Sequence, residues 1–600
     1  MTYLYNLVAA GPSKVCVYLV IFARNSFHFY RKRGAVVNLY PVLCGLIFSF
    51  IPNNLEAQSA GAGGMQVSGQ LGFNSQWYSM QSDAPELIYA RRPSDLYRVM
   101  ISPVFYAGDF RLPVTIVFSS RQTNTISFPA PEQTFSQFLR NPLNTFRLAP
   151  SYKWATATLG SQVLRHSSFT TGDVKMFGAG MELTPGRWSI SVFSGTSQRA
   201  IEPDSLRRIP GLYERQFRAA KFGYGREDAF HVSLNAAQMK DDPASLTATP
   251  PAVRPQEGLA TSLVVGIPVS GHVMWRTEIA GSVFTRDTRA GLHQDTKLEE
   301  LDPLIDLRHS TRADFAGESS IVYRKPTWGI GLKAVYIGDG FVAPGFPYLQ
   351  TDRIDFTIDP NFRLFDNKLI VQGSFGYRQN NLSDTKLQTS NHALASVNAN
   401  LTISEAFGLS ARYSNFGIRT GFSYDTLRLE VVSKSYGLSP YINLTGKNGA
   451  HRINTSVSFD EFEDTNLISG QQVTQQSLSS FFNHQYLLND LPLTTSFSVN
   501  YLSRLNQLWG LNSFTVQLGS TYRFYNNKMH PSVSLAFNRS SVGDYTPDSA
   551  WMIRPGFRYV INRQLTARID GSIRLYRYGT SRPGTSYTEN LFRTALNYRF

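Results

Sequence analysis

Residue types that could do chemistry are present in this sequence, but their spacing argues against a catalytic centre. The histidines after Ala57 are His166, His231, His272, His293, His309, His392, His451, His484 and His530. None stands in H-E-x-x-H or a comparable metal-binding spacing. His231, Ser233 and Asn235 alternate along one segment, and a His–Ser–Asn set could activate a serine nucleophile. A hydrolase, however, needs nucleophile, base and orienting group within hydrogen-bond reach. Along a strand, residues two apart are separated by about 7 Å, so these three form a row and not a triad. The only cysteines, Cys16 and Cys44, both precede Ala57. The remaining chain therefore has no disulfide, thiolate metal site or cysteine nucleophile. Pro41-Val42-Leu43 lacks the small residue expected before a lipidated Cys44. Asp241-Asp242 with Pro243 reads as a turn, with calcium binding as the alternative. No catalytic residue, metal or cofactor is expected.

The charged side chains fall on alternate positions, and this leads to the elements that carry them. Arg568, Asp570 and Arg574 alternate with Ala567, Ile569, Ile573 and Leu575. Arg378, with Gln372 and Ser374, opposes Leu369, Val371, Phe375 and Tyr377. Arg276, Glu278 and Arg412 sit on the polar face of similar segments. Period-2 alternation begins at Met65, Val67, Leu71, Phe73 and Trp77 and recurs to the C-terminus; it is the signature of strands with one apolar and one polar face. The segments run to about 10–15 residues, whereas soluble strands run to about 5–6 and strands that cross a bilayer need about 9–11. In lipid, strands satisfy their backbone groups only as a closed barrel. Full charges on the inner face suit a wet lumen.

The fold class expected is all-β: a single large antiparallel up-and-down transmembrane β-barrel of about 22–26 strands, with 26 the best count. Turn-forming pairs stand at Gly108-Asp109, Pro185-Gly186, Ser270-Gly271, Asp366-Asn367, Asn526-Asn527 and Asn562-Arg563. Between them lie longer connections, at Ser120 to Asn144, Gln198 to Gln216, Lys240 to Gly258 and Arg286 to Gly317. Short turns at one end and long loops at the other are expected of outer-membrane barrels. Trp154, Trp188, Trp275 and Trp328 stand beside the tight turns, and Trp77 and Trp551 near the other ends, as an interfacial aromatic belt requires.

Residues 1–57 read as a presequence and 58–600 as the barrel. Arg31, Lys32 and Arg33 form a positive start, Ala35 to Ile51 an apolar stretch, and Leu55-Glu56-Ala57 a small-residue cleavage site before Gln58. Residues 1–30 are unusual before such a signal and suggest an over-extended start. The formal net charge is +15, but no long Lys/Arg run follows Ala57, so nucleic acid is not an expected partner.

At the C-terminus, Phe592, Leu596, Tyr598 and Phe600 alternate with Arg593, Asn597 and Arg599. This resembles the C-terminal assembly signal of Gram-negative outer-membrane β-barrels, and the Ala57-Gln58 junction resembles exported proteins of Bacteroidetes-type bacteria. The resemblance implies the cell outer membrane as location, with outer-membrane lipid and the barrel assembly machinery as partners. The expected function is a pore or substrate-selective channel for small solutes. A partner barrel for secretion, surface assembly or envelope attachment, holding a periplasmic or surface protein, stays open; an outer-membrane hydrolase is the weaker alternative. An active transporter with a plug domain is disfavoured, because alternation begins only a few residues after Ala57. Within Arg286 to Gly317, Asp287, Asp295, Glu299, Glu300, Asp302, Asp306 and Asp314 make an acidic loop. It is expected either to fold toward the lumen mouth as a constriction or to remain a solvated surface loop.

Overall fold

Alternation of apolar and polar residues forces each segment to be two-faced, and a sheet of such strands has no unpaired edge only if it closes on itself. The computed structural model describes residues 64–600 apart from 87, 89, 121–137, 142, 205–208, 248–252, 293–304, 306, 387, 423–428, 467–470, 507–508 and 581–584. Residues 1–57, expected to be a presequence, lie outside the described residues.

The first strands are β1 (Gln66–Ser82), β2 (Asp95–Ala107), β3 (Phe110–Ser119), β4 (Thr145–Leu148), β5 (Ser151–Tyr152), β6 (Ala155–Val163), β7 (Lys175–Leu183), β8 (Trp188–Gln198) and β9 (Glu214–Gly225). Then follow β10 (His231–Asp242), β11 (Glu257–Ser270), β12 (Val273–Thr285), β13 (Thr311–Arg324), β14 (Trp328–Ile337), β15 (Arg353–Leu364), β16 (Leu369–Asn380), β17 (Gln388–Thr402) and β18 (Phe407–Phe422). The last are β19 (Leu429–Thr445), β20 (Gly449–Asn466), β21 (Gln471–Leu488), β22 (Leu493–Asn506), β23 (Gly510–Tyr522), β24 (Met529–Val542), β25 (Asp548–Val560), β26 (Leu565–Arg577) and β27 (Ser586–Arg599).

Strands β4 and β5 both pair with β3 and with β6. They are one stave interrupted at Ala149-Pro150, so the barrel has 26 staves, the expected number. Neighbours in sequence are antiparallel neighbours in space. The barrel closes where β1 pairs with β27, from Gln70↔Arg599 to Ser82↔Tyr587. Reciprocal hydrogen bonds between Gly69 and Phe600 (2.8 and 3.1 Å) extend that seam.

All six expected tight turns join consecutive strands. At Gly108, Gly186, Asp366, Asn367, Asn526 and Asn527 the backbone has φ between 54° and 68°, the left-handed region that Gly, Asn and Asp enter most readily. The expected connection Ser120 to Asn144 matches the observed 120–144, whereas the other three expected long connections are too wide. Thr311–Gly317 belongs to β13, paired with β12 from Gly317↔Ile279 through Thr311↔Thr285. The connection there is 286–310, equal in length to 120–144. Asp241 and Asp242 likewise end β10; buried Asp241 is bridged to Arg215 at 2.6 Å, and Asp242 accepts from Ala244 N.

The outward face is apolar. Phe375, Tyr377, Ile569, Ile573 and Leu575 are exposed on it, as are Trp77, Trp154, Trp188, Trp275, Trp328 and Trp551. Outward rings pack together near both barrel ends. Trp188 meets Tyr224 at 4.9 Å, Trp328 meets Tyr323 at 4.7 Å, and Trp77 meets Phe592 at 5.5 Å. Tyr598 and Phe600 stack at 5.8 Å. The residues expected to form the assembly signal therefore lie at the closing seam.

Candidate functional site: the lumen and two infolded connections

Two connections opposite the tight turns do not rise away from the barrel but pack against its inner wall. The first, 164–174, joins β6 to β7; the second, 338–352, joins β14 to β15. Ser168 N donates to Glu278 Oε2 at 3.1 Å, and Ser262 Oγ donates to Ser167 Oγ at 2.9 Å. Glu278 stands midway along β12 and is 0% exposed. It is seven residues from the far end of its strand, or roughly 23 Å along the strand, so the connection reaches deep into the interior.

The second connection is held by Gly340 N donating to Asp314 Oδ2 at 2.7 Å and Val342 N donating to Ser282 Oγ at 3.0 Å. At its base, burial opposes the charge on Asp352, yet Lys386 at 3.0 Å and the Ser383 N–H together hold that carboxyl below its ordinary range. The two connections also bond to each other. Gly345 N donates to Thr170 O at 2.9 Å, and Asp173 N donates to Gly345 O at 3.2 Å. A Cβ at Gly345 would lie 2.5 Å from Thr171 Cα, so this contact requires glycine.

Side-chain size explains the seating. Phe169 and Phe341 meet edge to face at 5.8 Å above Ala280 and Ala316, two inner-wall alanines that leave room for them. Burying each ring contributes about 1.5–3 kcal/mol. A second apolar cluster on the inner wall, around Phe193, Phe217, Ala237 and Met239, is covered in part by Leu164, Val174 and Val342. His166 N donates to Thr171 Oγ1, and its Nε2 lies 3.1 Å from Ser191 Oγ. Burial, reinforced by the Lys221 charge, pushes the His166 imidazole down to about 4, so the seated connection carries it neutral.

The expected lumen-facing charges all lie on the polar face of their strands. Arg276 bridges Glu318 at 3.5 Å and Glu278 at 3.8 Å. Arg378 holds Asp355 with two hydrogen bonds, at 2.7 and 3.0 Å. Arg568 pairs with Asp570 at 2.6 Å, and Arg574 lines the same cavity. Arg412 stands opposite Gly437 and Asn398, on the face away from Tyr413 and Tyr436.

Of the acidic loop, Asp295, Glu299, Glu300, Asp302 and Asp306 lie outside the described residues. Asp287 stays at the rim, where the Arg289 guanidinium hydrogen-bonded to it at 3.0 Å holds its carboxyl below the usual range. The expectation for Asp314 is corrected. It projects inward from β13 and anchors the other connection, because register places it on the same face as Ala316 and Glu318. Among the described residues, 164–174 and 338–352 enter the interior and bond to each other, and the β1–β2 connection also reaches inward, with Arg91 over the Tyr587 ring at 5.3 Å and Arg92 lining a cavity of the inner wall. A signal for this was present in the sequence: Phe341, Val342, Ala343 and Phe346 are apolar for a solvated loop. The His231, Ser233 and Asn235 row does face inward, but His231 Nδ1 contacts Ala229 O, while Asn235 donates to Ser233 and Ser262. These three residues assemble no triad.

No protein-family model and no curated protein matches the chain. Among solved structures, it is similar to the P pilus usher (PapC) translocation pore, with 12% identity, TM-score 0.41, and coverage of 89% of this chain and 99% of that one. It is also similar to a doubly substituted form of OccD1 (OprD), with 9% identity, TM-score 0.28 and coverage of 62% and 93%. Acinetobacter baumannii OccAB3 gives 11% identity, TM-score 0.28 and coverage of 64% and 99%. These likenesses are distant in both sequence and backbone.

Proposed function

We propose that this chain is an outer-membrane channel for small polar solutes, narrowed by two connections that fold into its lumen. The observation that carries the reading is the contact of 164–174 with 338–352 inside a closed barrel of 26 staves. A ring that wide leaves an aqueous interior unless something fills it, and here the infolded segments lie against one side. The other side keeps polar and charged side chains facing a cavity. The exposed apolar outer face supports residence in lipid, and the aromatic alternation at Phe592, Leu596, Tyr598 and Phe600 supports delivery by the barrel assembly machinery. Solute uptake by liposomes containing the refolded chain tests the function. Small neutral sugars are expected to enter and larger oligosaccharides to be excluded. Exclusion of every solute, by the parent and by a variant with a shortened 338–352, would overturn it. Membrane fractionation after expression in a diderm bacterium checks the location.

A further inference from the structure

The outward face of β20 and β21 is mostly apolar, and at one place a pair of imidazoles interrupts it. Val457, Phe459 and Leu478 are exposed on that face. The register Phe459↔Leu478, Ile453↔His484 and His451↔Tyr486 puts His451, His484 and Tyr486 on the same side. Exposed Leu444 of β19 stands opposite His451, and exposed Phe497 of β22 stands opposite His484. A polar ring on such a face needs a partner. The two histidines are 33 residues apart in sequence, so only the ladder brings them together.

His451 Nδ1 and His484 Nε2 lie 3.0 Å apart. The ring planes are parallel within 6° and the centroids are 5.3 Å apart, so the imidazoles meet edge to edge. Tyr486 lies against the face of His451 at 4.4 Å, and its hydroxyl donates to Asn448 O at 3.2 Å. The His451 ring is thereby backed by the tight turn 446–448. Asn489, in the next tight turn, donates to Gly446 O and Lys447 O. The pair therefore stands at the rim, half-buried, two residues into β20. His166, His231, His392 and His530 each place a ring nitrogen against a hydroxyl or a carbonyl. His451 and His484 instead place one against each other.

Imidazole lone pairs lie in the ring plane, and here the two planes are parallel. An ion bound about 2.0–2.1 Å from each of two imidazole nitrogens, at a right or tetrahedral angle, sets those nitrogens about 2.9–3.4 Å apart. The observed 3.0 Å falls within that interval. Among the described residues no group of three or more His, Cys, Asp or Glu side chains is placed to hold a metal ion, so the remaining positions would go to water.

We propose that His451 and His484 form a two-ligand site for a divalent transition-metal ion, zinc or copper(II), at the tight-turn rim. Imidazole suits these ions, whereas magnesium and calcium take oxygen ligands. Binding needs both inner nitrogens bare. The hydrogen of the N–H···N bond leaves to water, the outer nitrogen of the same ring takes one up, and the rings turn in plane to aim both lone pairs at the ion. The ion then links β20 to β21 beside their turns. The inference is independent of whether the barrel conducts.

Equilibrium dialysis of zinc chloride against the refolded, detergent-solubilised chain tests it, and electron paramagnetic resonance reads a copper(II)-loaded sample. The parent should bind one zinc ion that excess magnesium does not displace. Its copper spectrum should show coupling to two nitrogens. His451→Gln and His484→Gln should each weaken zinc binding by at least about tenfold and remove the two-nitrogen coupling. His272→Gln, at a distant turn, should change neither. Heat-modifiable gel mobility verifies that each variant is folded. A parent that binds no zinc, zinc binding that persists in either pair variant, or displacement by magnesium overturns the site.

Discussion

The two sides of this barrel solve the same closure problem differently. From β6 to β15 the strands are 9–14 residues long, and the connections opposite the tight turns, such as 164–174 and 338–352, are long. From β17 to β22 the strands run to 14–18 residues, and the corresponding connections, such as 467–470 and 507–509, are short. In the proposed membrane setting a crossing needs about 9–11 residues, and the second side would continue as sheet beyond it. The first side spends its extra chain on segments that turn inward. Inner-wall chemistry follows: Ala280, Ala316, Ala219 and Ala237 accept apolar side chains, whereas Ser572, Arg574 and Arg593 face a cavity. Where chain folds back, the wall offers apolar side chains with a few polar anchors such as Glu278 and Asp314; where it does not, the wall stays polar.

The comparison breaks most sharply under inserted charge. Ala316→Arg would drive a long side chain into the space that Phe341 fills, and even with Asp314 and Glu318 on the same face the overpacking should cost several kcal/mol or expel the connection. Ser572→Arg on the open side should be nearly neutral. Urea unfolding followed by gel mobility compares them, and equal losses would erase the distinction between the sides. Ile569→Arg supplies the reference for the outward face, with a loss of about 2–4 kcal/mol near the bilayer midplane.

A smaller effect is expected at the contact between connections. Gly345→Val should cost about 1–3 kcal/mol through overpacking against Thr171 and should speed proteolysis within 338–352. An unchanged cleavage rate would mean that the two segments are seated independently.

The smallest effect is a pH dependence. His166 is neutral when seated, with its imidazole lowered to about 4. Released into water it would titrate near 6.5. The released state therefore takes up a proton first as pH falls, and seating weakens from about 6.5 downward, levelling near 4. Ser191 and Lys221 face this ring, and Arg147, Arg165 and Glu182 line the adjoining cavity. Proteolysis of 164–174 should accelerate between pH 7 and about 5, and His166→Gln should flatten the profile. A profile unaffected by that substitution would remove His166 from the seating.

The legibility of the sequence divides along the same line. Turn pairs, alternation and the Trp positions made the staves countable, because period 2 and left-handed turn residues are local properties. The open wall was legible for the same reason, since Arg568, Asp570 and Arg574 alternate with Ile569 and Ile573. The infolded side was not. Asp314 looked like one more acid of a loop, because its role depends on Gly340, which is remote in sequence. The acidic stretch drew attention through charge, whereas what brings a segment inside is apolar surface, and Phe169 and Phe341 find each other only after β6 to β14 have curved into place.

Single-channel conductance tests the central claim most directly: that 164–174 and 338–352 narrow an otherwise open barrel. Gly340 to Gln350 would be replaced by a short Gly-Ser connection, and the variant checked for heat-modifiable mobility. Conductance should rise several-fold over the parent under identical salt. A properly folded variant with the parent's conductance would contradict the account.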